Sequence, residues 1–518
     1  MVAPRDRLLV SFKGRELSRA AAEAIARRAA GVTLYRHLNV STPAKVRALT
    51  DALGAAATRL GLPPLLVGAD HETGQLHAMG DGATPFPGAM ALGAVGDEAL
   101  TERVGAAIGT ELRAMGVTVV YAPDCDLATN PRNLVVGIRS FGDDPAGVGR
   151  LAAAQVRGIQ SAGVAATVKH LPGHGEPGGD SHHGLPVIEA SEDVLRSREL
   201  VPFRAAVDAG ARVAMAGHLG VPALTGRRDA PATLAREVVT DLLRGELGFG
   251  GIAVSDALDM GGVRGDDGRP DVFGALRAGT DLLLCGPDPA TQARVEAALA
   301  AAVEQLEADD ARASAARIAD LRRWLAGFDV PPVTVVGSAN HRALADEVAR
   351  RSLTVLRDRA GLLASAPLRD RRLLVVEPAP VDLTPADTTS WLPPGGLAAA
   401  IRGRGAAVDG VVVADPIDER TIATLRDRAA AADAVVLGTV DALGRPSLVA
   451  LAWALAATRR PMIAVALRAP WDADAIPEVG TVVATYGIQP PTLAALAGAL
   501  VEGSPLSGRC PVRLSVVS

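Results

Sequence analysis

Eight short apolar or β-branched runs alternate with longer amphipathic stretches over residues 1–330, and that rhythm constrains the fold more than any other feature of the chain. The runs are Leu8–Phe12, Gly31–Tyr35, Leu65–Gly68, Val117–Tyr121, Ala165–Val168, Arg212–Ala216, Gly251–Val254 and Thr280–Leu284. Helix signals lie between them. Thr42-Pro43 offers an N-cap followed by proline in the first turn, and Val46, Leu49, Leu53 and Leu60 follow at roughly helical spacing. Thr233–Leu247 sets Leu234, Val238, Leu242 and Leu243 on one face. Strands alternating with helices imply a parallel sheet, and eight of them in about 300 residues predict a (β/α)8 TIM-type barrel.

In such a barrel the active site lies at the C-terminal ends of the strands, and this is where the polar residues fall. The third run leads into Asp70-His71-Glu72, the fourth into Asp124 and Asp126, and the fifth into Lys169-His170. The sixth leads into His218 and the seventh into Ser255-Asp256. Helix N-caps account for some Asp and Ser, but not for Lys169-His170 or His218.

The rhythm changes after a proline-rich link at Pro331-Pro332-Val333 and a helix around Ala343–Arg351. Five apolar strands follow, Leu373–Val376, Val411–Ala414, Ala434–Leu437, Met462–Leu467 and Thr481–Thr485, separated by helical segments such as Glu419–Ala432 and Leu448–Thr458. The expected division is a catalytic barrel over 1–330, a linker over 331–345, and a smaller α/β layered sandwich domain over 346–518. Gly395-Gly396 lacks the spacing of a phosphate-binding loop, which argues against a nucleotide.

Within Lys169–His183, four histidines, a lysine and two acids are interleaved with six glycines and prolines. Such a segment is too polar for core and too broken for a helix or central strand. It reads as a functional loop carrying its own proton-transfer groups. Asp180 and His182 stand two residues apart, and a carboxylate beside an imidazole orients the ring and stabilises its charged form. Asp256 follows an apolar run and should be held on a strand end aimed into the barrel mouth, which suits a nucleophile. A fixed carboxylate nucleophile plus a loop-borne proton shuttle meets the requirement for double displacement at an acetal carbon. A metal-dependent barrel hydrolase using His170, His174, His182 and Asp256 is the alternative from another class of chemistry, and a non-catalytic sugar-binding protein is a third.

Composition removes other classes. A net charge of −5 and a pI near 6.0 give no electrostatic reason to expect nucleic acid or an anionic membrane as partner. Cys125, Cys285 and Cys510 are far apart and odd in number, which favours a reducing compartment over a disulfide framework. No apolar segment approaches the length of a membrane span, and the first apolar run is too short for a secretory signal; a cytoplasmic, soluble protein is expected. Aromatic residues make up only 3%, so a small soluble ligand fits better than a long polymer that needs flat rings to stack on.

The motif KH-x-PGHG-x4-DSHH-x-LP at Lys169–Pro186 closely resembles that of the bacterial β-N-acetylhexosaminidases of glycoside hydrolase family 3. Gly251–Met260 resembles that family's nucleophile strand and Arg139–Pro145 its sugar-binding RSFG segment. Phe86–Ala94, His218 with Val221–Leu224, Val465–Pro470 and Tyr486-Gly487 extend the resemblance over nearly the whole chain. The resemblance implies a retaining exo-acting enzyme that releases terminal β-linked N-acetylglucosamine with no metal or organic cofactor. Asp256 would be the nucleophile, His182 the acid/base and Asp180 its partner. Asp70, Arg139, Lys169 and His170 would hold the sugar's hydroxyls and acetamido group, with His174 and His218 beside them. A phosphorylase using the same site is the rival reading, because an imidazole acid/base does not repel phosphate as a carboxylate does.

One departure stands out. Where the family usually reads D-Q-E-G-G-R-V-x-R, this chain has Asp70-His71-Glu72-Thr73-Gly74-Gln75-Leu76-His77-Ala78. Both arginines are gone, so the barrel mouth is expected to favour small neutral or cationic aglycones over acidic muramyl-type ones.

Overall fold

The computed structural model describes residues 4–27, 29–178, 184–260, 263, 271–365, 368 and 370–515. Each of the eight apolar runs forms a strand: β1 (Leu8–Val10), β2 (Gly31–Leu34), β3 (Leu66–Ala69), β4 (Val119–Val120), β5 (Ala165–Leu171), β6 (Val213–Ala216), β7 (Ile252–Ala257) and β8 (Leu282–Cys285). Every neighbouring pair is parallel, and the sheet closes in the order β1-β8-β7-β6-β5-β4-β3-β2.

Strand periodicity sorts the core into two sets. Leu9, Leu66, Val119, Val213, Val254 and Leu284 fill the barrel interior together with Ile318, Leu321 and Leu325 of the helix Ala308–Leu325. The intervening Leu8, Val10, Val32, Val67 and Leu283 meet the surrounding helices instead. Helix Ala308–Leu325 therefore closes the N-terminal end of the barrel, leaving the C-terminal end for chemistry. Polar contacts fix it there. Arg7 donates to Ser314 Oγ at 2.6 Å and Arg322 to the Ala30 carbonyl at 3.1 Å. The fully buried Asp281 accepts from Arg317 at 2.8 Å, from Arg244 at 2.7 Å and from the Ala253 N–H at 2.9 Å.

The second domain is a six-stranded sheet of β9 (Thr354–Asp358), β10 (Arg372–Pro378), β11 (Ala407–Val413), β12 (Ala434–Thr439), β13 (Met462–Ala466) and β14 (Thr481–Ala484), ordered β9-β14-β13-β12-β10-β11. Only the β9–β14 pair is antiparallel. Leu397, Ile401, Leu496 and Leu500 cover one face from helices Gly396–Arg402 and Pro490–Glu502. Leu425, Leu448 and Leu455 cover the other from Glu419–Ala431 and Pro446–Ala456. The five expected strands are present, and β9 is an addition. Its Thr-Val-Leu-Arg-Asp sequence reads as polar, yet Arg357 is buried, donating to the carbonyls of Ala473, Ile476 and Val479. Strand β11 begins at Ala407 rather than Val411, since an edge strand with an exposed face needs no continuous apolar run. Among the described residues, no helix is long and apolar enough to cross a membrane.

The domains meet over a short hairpin, His71–Thr73 paired with Leu76–His77, that follows β3. The Thr388 N–H and hydroxyl both donate to the Gln75 carbonyl at 2.8 Å, and the His77 N–H donates back to Thr388 Oγ1 at 3.0 Å. Arg468 donates to Gln75 Oε1 at 2.6 Å, Gln75 Nε2 to the Ala386 carbonyl at 3.2 Å, and Gln489 to the Gly74 carbonyl. The chain's last described segment returns to the barrel, where the Asp143 N–H donates to the Pro511 carbonyl at 3.0 Å.

Asp281→Ala strands two arginines at the closed end of the barrel without touching the open end. The expected loss is roughly 3–5 kcal/mol of barrel stability, the cost of breaking a buried ion pair by removing one partner. Urea unfolding followed by circular dichroism measures it, and a midpoint equal to that of the native protein would contradict the role given to Asp281.

Candidate active site

A cavity of about 620 Å³ opens at the C-terminal ends of the strands, within the range of roughly 300–1,000 Å³ usual for small-molecule sites. Asp70 after β3, Lys169 and His170 on β5, and Asp256 on β7 all line it, together with Arg139 and His174. Six of the nine expected site residues are thus brought to one cavity. Lys169 and His170 sit inside β5 rather than on the loop after it, because that strand runs on to Leu171.

Lys169 is only 2% exposed and Arg139 only 5%. Two cations cannot be buried without anions, and Glu72 supplies the shared one. Lys169 Nζ lies 2.6 Å from Glu72 Oε1 and 2.7 Å from Asp70 Oδ1. Arg139 grips the same glutamate through both arms, Nε to Oε2 at 2.8 Å and Nη2 to Oε1 at 2.7 Å, and its third arm donates to the Val135 carbonyl at 2.9 Å. Burial alone would raise the Glu72 carboxyl, but Arg139 and Lys169 overcome it and hold the group at about 2. Lys169 is likewise raised overall, its burial outweighed by Asp70 and Glu72.

Behind the cavity wall, Asp126 organises the histidines. Its Oδ2 lies 2.7 Å from His170 Nδ1, while Oδ1 accepts the backbone N–H groups of His170 at 3.1 Å and His174 at 2.7 Å. Asp124 accepts the Asp126 N–H at 2.9 Å and stands 3.6 Å from Arg139. Burial, then the neighbouring Asp126 charge, raises Asp124 to about 8, and burial lowers His170 to about 4. Asp124, Asp126 and His170 bring ligand atoms within 4.8 Å of one another, and could in that respect hold a metal ion. The donor set argues for another role, since both Asp126 oxygens already receive N–H groups and the His170 ring. The trio fixes the orientation of His170.

Asp256 sits one residue before the end of β7, its Oδ1 accepting the Ala257 N–H at 2.8 Å, so its carboxylate is anchored at the cavity wall. His218 takes a different place from the one the resemblance implies. It does not line the cavity; Nε2 lies 3.0 Å from the Ala257 carbonyl and Nδ1 2.8 Å from Thr233 Oγ1. It supports the strand that carries Asp256.

The loop after β5 leaves the barrel under tight constraint. Asn133 donates to the His174 carbonyl at 2.7 Å, Asn130 to the Glu176 carbonyl at 2.9 Å, and Arg198 pairs with Glu176. A side chain at Gly175 would meet the Leu127 carbonyl at 1.7 Å, so only glycine fits that approach. Asp180 and His182 lie outside the described residues.

Four contributors escaped the sequence reading. Glu72, Asp124 and Asp126 were visible as acids after strands three and four, but nothing in the sequence showed which cations or rings they meet. The fourth is the second-domain segment Asp382–Trp391, which lines the cavity with Asp382, Thr384, Asp387, Thr388 and Trp391. It carries no motif. The structure also relocates the departure at positions 75 and 78. Gln75 faces Arg468 of the second domain, not the cavity, whereas Ala78 does line it. Beside Ala78, Arg36 donates to the His77 carbonyl at 2.9 Å, so a cation remains at that wall.

Residues 7–321 match the glycosyl hydrolase family 3 N-terminal domain. A β-hexosaminidase A of Pseudoalteromonas piscicida is 34% identical over 366 residues, 65% of this chain, and the alignment spans only 60% of that relative's length. A β-hexosaminidase of Chromobacterium violaceum is 35% identical over 58% of this chain and 84% of its own. Among solved structures, the family 3 β-N-acetylglucosaminidase of Paenibacillus sp. str. FPU-7 superposes with a TM-score of 0.92 at 32% identity, covering 100% of both chains.

The Glu72 cluster should show itself in acid. Its folded pKa lies below the ordinary carboxylate value, so its stabilisation is complete above about pH 4.5 and is lost as pH falls toward 2. Glu72→Gln should lower stability at pH 7 by roughly 3 kcal/mol, by leaving Lys169 and Arg139 undercompensated. It should also flatten the acid dependence between those limits. Unfolding midpoints from pH 7 to pH 3 test this, and an acid profile parallel to the native one would refute it.

Proposed function

We propose that this chain, which belongs to glycosyl hydrolase family 3, is a retaining exo-β-N-acetylglucosaminidase. The observation that carries the reading is an anchored carboxylate, Asp256, sharing one cavity with the Lys169–Asp70–Glu72–Arg139 cluster at the open end of the barrel. The names of the β-hexosaminidase relatives and of the Paenibacillus neighbour support the sugar's identity.

In this reading the terminal sugar's hydroxyls exchange hydrogen bonds with Asp70, Lys169 and His170, which fixes C1 against Asp256. Asp256 attacks C1 as the C1–O bond to the leaving group breaks, and His182 delivers its proton to the departing oxygen. That leaves a glycosyl ester on Asp256. His182, now neutral, removes a proton from water, whose oxygen attacks C1 and returns Asp256 as a free carboxylate. Asp180 orients His182 and stabilises its imidazolium form. Two inversions at C1 conserve the anomeric configuration.

Four measurements test the proposal. Asp256→Asn should lower kcat by at least a thousandfold, roughly what loss of a nucleophile costs, and a fluorinated sugar that traps the ester should label Asp256 alone. Labelling elsewhere or an inverted product would refute the assignment. His182→Ala should slow glycosides with poor leaving groups by about 10²–10⁴ and activated phenolates far less, because only the former need a proton; equal losses would remove the general acid. Product analysis with and without phosphate decides the acceptor, with free N-acetylglucosamine expected in both and sugar 1-phosphate overturning the choice of water.

A further inference from the structure

Trp391 stands out at the mouth of the cavity. Aromatic residues make up only 3% of the chain, and among the described lining residues Tyr35 and Trp391 are the only tryptophan, tyrosine or phenylalanine. Tyr35 follows β2 directly and lines the cavity with Asp70 and Asp256, which places it on the sugar-holding floor. Trp391 belongs to the second domain and is 51% exposed at the edge of the same cavity.

An exposed indole at a cavity edge is ordinary unless something holds it in place. Here its support is built from both domains. The Arg36 guanidinium from the barrel stacks on the Trp391 ring, 5.0 Å from its centroid, and is itself tied to the His77 carbonyl. The turn that carries the ring is pinned on each side. Asp382 accepts from the Ser390 N–H at 2.7 Å and its hydroxyl at 2.6 Å. Asp387 accepts the Thr389 N–H at 2.9 Å and is paired with the buried Arg468 at 2.6 Å. A flat apolar surface whose position is already fixed loses little entropy when a ligand lies on it.

We propose that Trp391, backed by Arg36, is a single leaving-group subsite that takes one ring presenting an apolar face, a pyranose or an aryl group, on the far side of the bond that is cut. The subsite ends after one ring, since beyond Tyr35 and Trp391 no tryptophan, tyrosine or phenylalanine is among the described lining residues. The second domain thus contributes directly to substrate choice. This rests on the glycosidase reading above.

The test compares kcat/KM for four β-N-acetylglucosaminides: the methyl glycoside, the phenyl glycoside, the disaccharide of N-acetylglucosamine and its trimer. The native enzyme should favour the disaccharide over the methyl glycoside and treat disaccharide and trimer alike. Trp391→Ala should shrink the disaccharide-to-methyl ratio by about tenfold, the scale of one lost stacking contact, and Trp391→Phe should restore most of it. A matching fall in the phenyl-to-methyl ratio extends the subsite to aryl groups, and a fall confined to the disaccharide assigns it to pyranose. An unchanged ratio, or a trimer cleaved tenfold better than the disaccharide, overturns the subsite while leaving the glycosidase reading intact. Failure of the native enzyme to turn over any of the four removes that reading and the subsite with it.

Discussion

Two cations buried within reach of one glutamate set the terms for the rest of this site. Lys169 and Arg139 come from different parts of the barrel, one from inside β5 and one from the turn that precedes the helix Pro145–Ser161. Neither could stay buried without a fixed anion. Glu72 meets that need only because the hairpin after β3 folds back over the barrel mouth. The hairpin in turn has its tip clamped by Thr388, Gln489 and Arg468 of the second domain. Displacing that domain would therefore reach the charges at the barrel mouth through one short connection, although none of those charges belongs to it.

The same arrangement divides the electrostatic work. Lys169 and Arg139 are answered by Asp70 and Glu72 at ion-pair distance. A third carboxylate, Asp124, lies beside Arg139 and a fourth, Asp126, beside Asp124; burial raises both above the usual carboxylate range, and the Asp126 charge adds to the rise at Asp124. Asp126 in turn holds His170 through its ring and its backbone N–H. Two cations facing two carboxylates leave a nearly balanced charge at the cavity that Asp256 also lines, and the Asp256 carboxylate accepts the Ala257 N–H.

The barrel was legible because period-two apolar runs, strand ends and acids coincide in this sequence: Leu66 and Val254 fill the interior while Asp70 and Asp256 sit just past them. Composition marked Lys169–His174 as a functional segment, but Lys169 and His170 belong to the end of β5 and only the part after Leu171 is loop. What stayed hidden depends on contacts between distant segments. Glu72 and Gln75 belong to one hairpin, yet one binds barrel cations and the other an arginine almost 400 positions along the chain. His218 looked like a rim residue because it follows β6, but its ring turns toward Ala257 and Thr233. Strand β9 was obscured by Arg357, whose burial is made acceptable by carbonyls that only the folded domain supplies.

Position 75 shows how a lost charge can be misread in isolation. Arginine there would face Arg468, which already pairs with Asp387, and like charges in a buried contact repel strongly. Glutamine suits the place: its carbonyl oxygen accepts from Arg468 and its amide donates to Ala386, so both ends are satisfied without a second cation. Arg468 and Gln75 are thus a complementary pair, and the change at 75 bears on domain docking more than on ligand charge. Only Ala78 opens space in the cavity itself. Arg36 stands at that wall, committed to a carbonyl and to the face of Trp391. The guanidinium at this wall is therefore stacked on an aromatic ring and tied to a carbonyl, with the small side chain of Ala78 beside it.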